Sequence, residues 1–359
     1  MKHQINQGQR VEIVSISKLN ILLDAVAEQM ELYTPKKIGD HYTFAKYDSS
    51  IETPLDFNNI RAYTPIKEFL FPLRELVAIF PESVEPDEVK PFAVFGLKNC
   101  DLRSIEILDK VFLEEEFQDP FYQRRREKLF IISTDCFDPT ESCCCTLFGG
   151  QPFTQSGFDL NVSKTSDGFI TEVGSNKGRD FVEKHLRLFT DTPEALLIER
   201  DKTRAKTQKQ LEQNNSEYEL DAPVNKILEN STDSEVFDIE SQKCVECQAC
   251  TRICPTCHCF YLYDTRQKDY FAKMNMWDSC MRMAYAAVAG GANPRKVLGD
   301  RIKHRLMHKF SFFFDRYGIE MCVGCGRCID ADSHGMDIRV VLKKLSEELR
   351  TKPKAEIAK

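Results

Sequence analysis

The sequence predicts an α+β chain, with an N-terminal α/β domain over residues 1–215 and a mainly α-helical domain over residues 216–359. Three observations carry this reading. Strand-like and helix-like stretches alternate through the first part. A charged, aromatic-poor stretch interrupts them from about Leu196 to Glu240, and beyond Lys268 apolar residues recur at helical spacing. Strands alternating with helices favour a sheet covered by helices.

The elements follow in order. VEIVSI, ending at Ile16, and HYTFAKY, starting at His41, alternate as half-buried strands do, and SKLNILLDAVAEQM between them has apolar residues at helical spacing. PFAVFGL (Pro91 to Leu97) reads as a buried strand followed by the helix CDLRSIEILDKVF, and KLFIIST (Lys128 to Thr134) as a second buried strand. These two strands lead to Cys100 and Cys136, and the loops at strand ends are where such folds place their sites. The stretch after Leu196 reads as a solvated helix and linker without chemistry. WDSCMRMAYAAVAGG and RIKHRLMHKFSFFFDRYG are expected to be helices in the second domain, with cofactor sites between them.

A net charge of -7 gives no basic stripe for nucleic acid. The N-terminus MKHQINQGQRVEIVSI lacks the apolar core of an export signal. No apolar run approaches the roughly 18 residues of a membrane helix. A cytoplasmic protein without membrane insertion is expected. Cysteine is the outlier: 15 residues against one tryptophan, in tight groups, with none before Cys100. In a cytosolic chain such grouping points to metal or redox chemistry rather than disulfides.

CVECQACTRICP supplies Cys244, Cys247, Cys250 and Cys254 followed by Pro255, which matches the C-x2-C-x2-C-x3-C-P run of 4Fe-4S proteins. Structural zinc typically pairs two C-x2-C knuckles, so three evenly spaced cysteines plus Cys-Pro fit it poorly. MCVGCGRC repeats the spacing at Cys322, Cys325 and Cys328, but Asp332 stands where the fourth cysteine belongs. In two-cluster ferredoxins the fourth cysteine of each run serves the other cluster. That rule groups Cys254 with Cys322, Cys325 and Cys328, and Asp332 with Cys244, Cys247 and Cys250. Three outcomes are open for the second group. Asp332 can bind iron through oxygen, a less matched ligand than thiolate. The fourth iron can be absent, leaving a three-iron (3Fe-4S) cluster. A spare thiol among Cys257, Cys259 and Cys280 can also take its place.

A further set lies at Cys100, Cys136, Cys143, Cys144 and Cys145. Two strand ends and one loop could converge on a third cluster, or these could be packed or redox thiols, since cysteine packs like a small hydrophobe. There is no G-x-G-x-x-G, P-loop or catalytic-triad signature, so no catalytic residue is assigned.

Over nearly its whole length the chain resembles the β subunits of cytosolic sulfhydrogenase-type nickel–iron hydrogenases, and it is similar to the electron-input subunit of anaerobic sulfite reductase. FGLKNCDLRSIEILD, DPFYQRRRE, SCCCTLFGG, CVECQACTRICPTCHCF, WDSCM, AGGANPR, RIKHRLMHKF and MCVGCGRC carry the resemblance. It implies an N-terminal α/β domain and a second domain like the α-helical ferredoxins. It implies three clusters, expected to be 4Fe-4S, the third on Cys100, Cys136, Cys143 and Cys145. It also implies an electron-transfer role in a heteromeric complex, between a flavoprotein subunit handling NAD(P)H and a catalytic subunit. A hydrogenase partner is expected first, and a sulfite-reductase-type or other flavin-linked reductase second. Relatives carry Cys-Pro at Asp332 and a bulky residue at Cys144.

From a different class, Cys257, Cys259 or Cys280 could make this a thiol-active sulfur reductase, whereas the bland reading buries them beside a cluster. A cluster-based redox sensor would need a nucleic-acid surface that the acidic balance does not offer. Trp277 reads as a core anchor. Arg301, Lys303, Arg305 and Lys309 read as a solvated helix face rather than a dock for an acidic partner. His304 and His308 share that helix without forming a metal pair.

Overall fold

A computed structural model describes residues 5–6, 9–10, 12–49, 61–80, 88–114, 116–266, 268 and 270–351. The chain forms two compact units. One comprises Met1–Leu70, Asp87–Thr140 and Gly149–Gln213, and the other Phe71–Pro86, Glu141–Phe148 and Asn214–Lys359. The fold is α+β, as the sequence predicts, with a sheet-based first unit and a largely helical second unit.

In the first unit, Glu31–Ile38, Phe92–Leu97, Leu129–Thr134 and Leu160–Thr165 run parallel in the middle of an eight-stranded sheet. Antiparallel strands flank them: His41–Lys46 on one side, and Gly168–Val173, Glu12–Ile16 and Thr190–Asp191 on the other. Phe92–Leu97 and Leu129–Thr134 are buried along their whole length. That is why they read as continuous apolar runs rather than as alternating ones. Helix Asn99–Phe112 buries Leu102, Ile105, Leu108 and Phe112. Helix Pro120–Lys128 starts on Asp119, whose Oδ1 accepts the backbone N–H of Phe121 and of Tyr122 at 2.9 and 3.0 Å.

The expectation of a solvated connector after Leu196 does not hold. Helix Glu194–Asn214 buries Arg200, Arg204, Thr207 and Leu211. Arg204 Nε donates to Asp135 Oδ2 at 2.7 Å, and Arg200 Nη1 donates to Glu172 Oε1 at 3.1 Å. Full ion pairing makes these charges tolerable inside the unit. Val224–Glu229 and Val236–Ser241, where the sequence predicts a linker, are short helices that put Ile227, Leu228 and Phe237 into the second core.

The second unit packs those helices against Leu298–Met307 and Ile338–Thr351 around Ile302, Leu306, Phe310, Val341, Leu342 and Leu345. Leu298–Met307 continues through a π-helical segment, His308–Phe312, into Phe313–Tyr317. A three-stranded antiparallel sheet, Phe260–Arg266, Phe271–Trp277 and Arg74–Phe80, departs from the mainly helical expectation. It corrects the helix expected through WDSCMRMAYAAVAGG. Strand pairing runs to Trp277, only two short 3-10 turns follow, and Gly290 and Gly291 adopt positive φ. Trp277 is an anchor: its indole N–H donates to the Phe71 carbonyl at 2.9 Å. Among the described residues no helix is long and apolar enough to cross a membrane.

Candidate metal centre

The two cysteine loops share one backbone trace. In the first, Glu246 and Gln248 take left-handed conformations at φ 57° and 63°; in the second, Gly324 and Gly326 do so at φ 61° and 73°. Each loop then enters a one-turn helix, Ala249–Arg252 or Arg327–Asp330. The residue types differ because the surroundings differ. A Cβ on Gly324 would lie 2.5 Å from the Cys144 carbonyl oxygen, and one on Gly326 would lie 2.3 Å from that of Ser142. The segment Glu141–Phe148 thus rests on the second loop, where only glycine fits. Glu246 keeps its side chain and pairs with Arg301 at 2.7 Å.

Cys254, Cys322, Cys325 and Cys328 line one cavity together with Arg305, Lys309 and Cys144. Lys309 Nζ lies 3.3 Å from Cys254 Sγ and donates to Thr256 Oγ1 at 3.0 Å. Burial pushes the Cys322 thiol up to about 11 against the pull of Lys309, and the Cys328 thiol up to about 12 against that of Arg305. Burial also opposes the charge on Arg305, yet the surrounding thiols of Cys250, Cys328, Cys257 and Cys254 hold its pKa above the ordinary value. Arg305 Nε is buried without a hydrogen-bond partner among the described residues. A buried cationic N–H beside four cysteines suits a thiolate- and sulfide-rich cluster.

These positions correct the solvated face expected for the basic helix. Arg301, Arg305 and Lys309 are 3%, 8% and 2% exposed, and of the four only Lys303 stays near solvent. The spacing carries the signal. Residues 301, 305 and 309 form one stripe, directly beside the apolar stripe of Ile302, Leu306 and Phe310.

Around the other loop, Cys250 lies close to Cys244 and Cys247, and Asp332 lies close to Cys244. Burial raises the Cys244 thiol pKa, an N–H donor at Glu246 opposes this, and the Asp332 charge adds to the rise. Asp332 Oδ1 accepts the backbone N–H groups of His334 and Met336 at 3.0 and 2.8 Å, while Oδ2 accepts none among the described residues. The backbone therefore fixes one carboxylate oxygen and not the other. Cys247 is exposed.

The spare thiols lie nearby. Cys280 is close to Cys250, and Cys257 is close to Lys309 and Arg305. Hydrogen bonding from Cys280 pulls the Cys259 thiol down to about 6, with burial opposing and Tyr285 assisting. Cys280 is pushed up in turn. Cys144 is 1% exposed, and burial together with Cys322 and Cys328 raises its pKa well above the ordinary thiol value.

In the first unit Cys100 opens helix Asn99–Phe112 and Cys136 follows strand Leu129–Thr134, the parallel neighbour of Phe92–Leu97. Gly96 turns the first strand out at φ 86°, where a Cβ would lie 2.7 Å from Pro35 Cγ. The buried Lys98 bridges the two strand ends, donating to Thr134 Oγ1 at 2.9 Å and to the Asp135 carbonyl at 3.0 Å. Burial lowers its pKa, and the nearby Cys136, Asp135 and Cys100 oppose that. No sequence pattern singles out Lys98. Cys143 and Cys145 belong to the second unit, where Asn215 Nδ2 donates to the Cys143 carbonyl at 2.8 Å. The cysteines assigned to a third cluster are thus divided, two to each unit.

Among the described residues no three His, Cys, Asp or Glu side chains gather closely enough for a single metal ion. A family model described as a 4Fe-4S dicluster domain matches residues 243–336. Sulfhydrogenase 2 subunit beta of Pyrococcus furiosus is 36% identical over 303 residues, which covers 83% of this chain and 86% of the relative.

Proposed function

The chain belongs to the sulfhydrogenase β-subunit family, and we propose that it relays electrons through iron–sulfur clusters between the flavoprotein and catalytic subunits of a heteromeric complex. The observation that carries this reading is the pair of C-x2-C-x2-C loops with one backbone trace, with Cys254 of the first motif in the cavity of the second. One cluster falls to Cys254, Cys322, Cys325 and Cys328. Another falls to Cys244, Cys247 and Cys250, with Asp332 as its fourth ligand. A third falls to Cys100, Cys136, Cys143 and Cys145.

When bound, the clusters supply one-electron carriers whose potentials follow ligand, hydrogen bonding and burial. The chain's own residues do the rest. The loops aim the thiols, the helical core excludes water, and Arg305, Lys309 and Lys98 offset the negative charge of buried thiolates. A hydrogenase is the catalytic partner this reading favours, in keeping with the relative's name. Roughly twelve irons per chain are expected from three four-iron clusters. Iron and sulfide counting with electron paramagnetic resonance on anaerobically purified protein tests this. About four irons, or none, would sink the relay reading.

A second reading, thiol chemistry at Cys259, is favoured by the acidity that Cys280 and Tyr285 confer on it. Alkylating Cys257, Cys259 and Cys280 separates the two readings, because an unchanged electron-transfer rate excludes thiol catalysis.

A further inference from the structure

The two cluster loops share a backbone trace but not an electrostatic setting. Lys309 makes the difference. It lies in the π-helical segment His308–Phe312 and is 2% exposed. π-turns are rare and recur at functional sites. Through this one, Lys309 joins both cysteine motifs: its carbonyl accepts the N–H of Met321, just before the second loop, at 2.8 Å. Its ammonium reaches Cys254 Sγ, from the first motif, at 3.3 Å and is steadied by Thr256 Oγ1 at 3.0 Å. Arg305 does not discriminate in this way, because it lies near Cys250 of one loop and Cys328 of the other. At Cys244 the largest acidic influence is instead a carboxylate, Asp332.

Building on the relay reading, we propose that Lys309 sets the two clusters of the second unit apart in potential, making the one at Cys254, Cys322, Cys325 and Cys328 the electron-accepting member. Adding an electron makes a cluster more negative. A buried ammonium donating an N–H to a ligand sulfur stabilises that reduced form more than the oxidised one. Low local dielectric strengthens the effect, and solvent screens it little. Electrons entering the pair therefore settle on the Lys309 side. Lys309 is a tuning residue and does not touch the reacting partner.

The test is a potentiometric titration of the full chain, loaded with iron and sulfide, followed by electron paramagnetic resonance. The signal altered by Cys322→Ser identifies the cluster in question. Lys309→Gln keeps a donor and removes the charge. At a fixed poise it should lower the reduced-to-oxidised ratio of that cluster about ten-fold, equal to about 59 mV for a one-electron couple. The other cluster should move far less. Lys309→Arg should restore most of the shift, and Lys303→Gln, on the same helix near solvent, should change nothing. Thr256→Val, which removes the hydroxyl that steadies Nζ, should give a smaller shift of the same sign. It decides the matter alone if Lys309→Gln does not take up iron. Equal shifts in both clusters, or none in either, overturn the proposal. A chain that loads no cluster at all faults the relay reading instead, and the iron count made before titration tells the two failures apart.

Discussion

Gly324→Ala isolates a close backbone approach at the second cysteine loop. Its φ is 61°, and the added methyl would lie 2.5 Å from both the Cys144 carbonyl oxygen and Cys145 Cα. Both are main-chain atoms, so no rotamer can relieve the overlap. The left-handed conformation costs an L-residue about 1–2 kcal/mol, and overpacking adds about 1–3 kcal/mol. Together they give about 2–5 kcal/mol, or a fall in melting temperature of about 4–20 °C at 2–4 °C per kcal/mol for a domain of this size. The matching change on the first loop, Glu246→Gly, calibrates the result. It relieves a left-handed residue by about 1 kcal/mol but leaves the buried Arg301 without its 2.7 Å carboxylate partner, a loss of about 1–3 kcal/mol. The net is a loss of about 0–2 kcal/mol, below that of Gly324→Ala. Melts of both variants, followed anaerobically by circular dichroism and by cluster absorbance in the visible, should rank Gly324→Ala clearly below Glu246→Gly. If Gly324→Ala melts with the parent, the contact with Cys144 and Cys145 does not hold the loop and the reasoning fails.

Asp332→Cys should alter the spectrum and potential of the cluster at Cys244, Cys247 and Cys250 and leave its partner's unchanged; a change confined to the partner would mean the motifs are paired the other way. His308 is held at about 4 by burial, with His258, Lys309 and His304 adding to the drop. Its folded value lies below the unfolded value of about 6.5, so it contributes stability above pH 6.5 that is lost as pH falls toward 4, on the order of 3 kcal/mol. Denaturation midpoints of His308→Gln should flatten across that window, and an unchanged acid limb would refute the assignment. Cys259, whose thiol pKa Cys280 and Tyr285 pull down, should reach its full alkylation rate at lower pH than the ordinary thiol value of about 8.5 implies. Tyr285→Phe should move that rise upward, and a parent rate still climbing at higher pH would count against the hydrogen-bonded thiolate.

The parts of the molecule most legible in the sequence are those where one kind of pattern dominates. Phe92–Leu97 and Leu129–Thr134 are sheathed on both faces, so their apolar runs could hardly read as anything but buried strands. The cysteine spacing names its chemistry directly, because a tight loop of three thiols has few other uses. What stays hidden depends on partners distant in the chain. Arg204 reads as one charge among many on a polar helix until Asp135 and Glu172 are brought against it. Phe271–Trp277 has alternating side chains, but the Ala- and Met-rich residues after it pull the reading toward helix; pairing with Phe260–Arg266 and Arg74–Phe80 overrides that propensity. Lys309 and Arg305 read as solvent-facing because basic residues are rarely buried, and only the thiols opposite them account for the exception.

The segment Ser142–Cys145, seated on Gly324 and Gly326, also bears on how the metal is installed. A donor of iron and sulfide can approach the first loop in the finished fold, since Cys247 is exposed. The second loop is roofed by main chain at 2.3–2.5 Å from where side chains would begin. On the cluster assignment proposed above, a cofactor on this loop would have to enter before that roof closes, or while it is lifted. Filling the interior site first needs no such lifting, so that is the order the cover favours. Oxidative damage should run in reverse, stripping the outer site while the inner one survives.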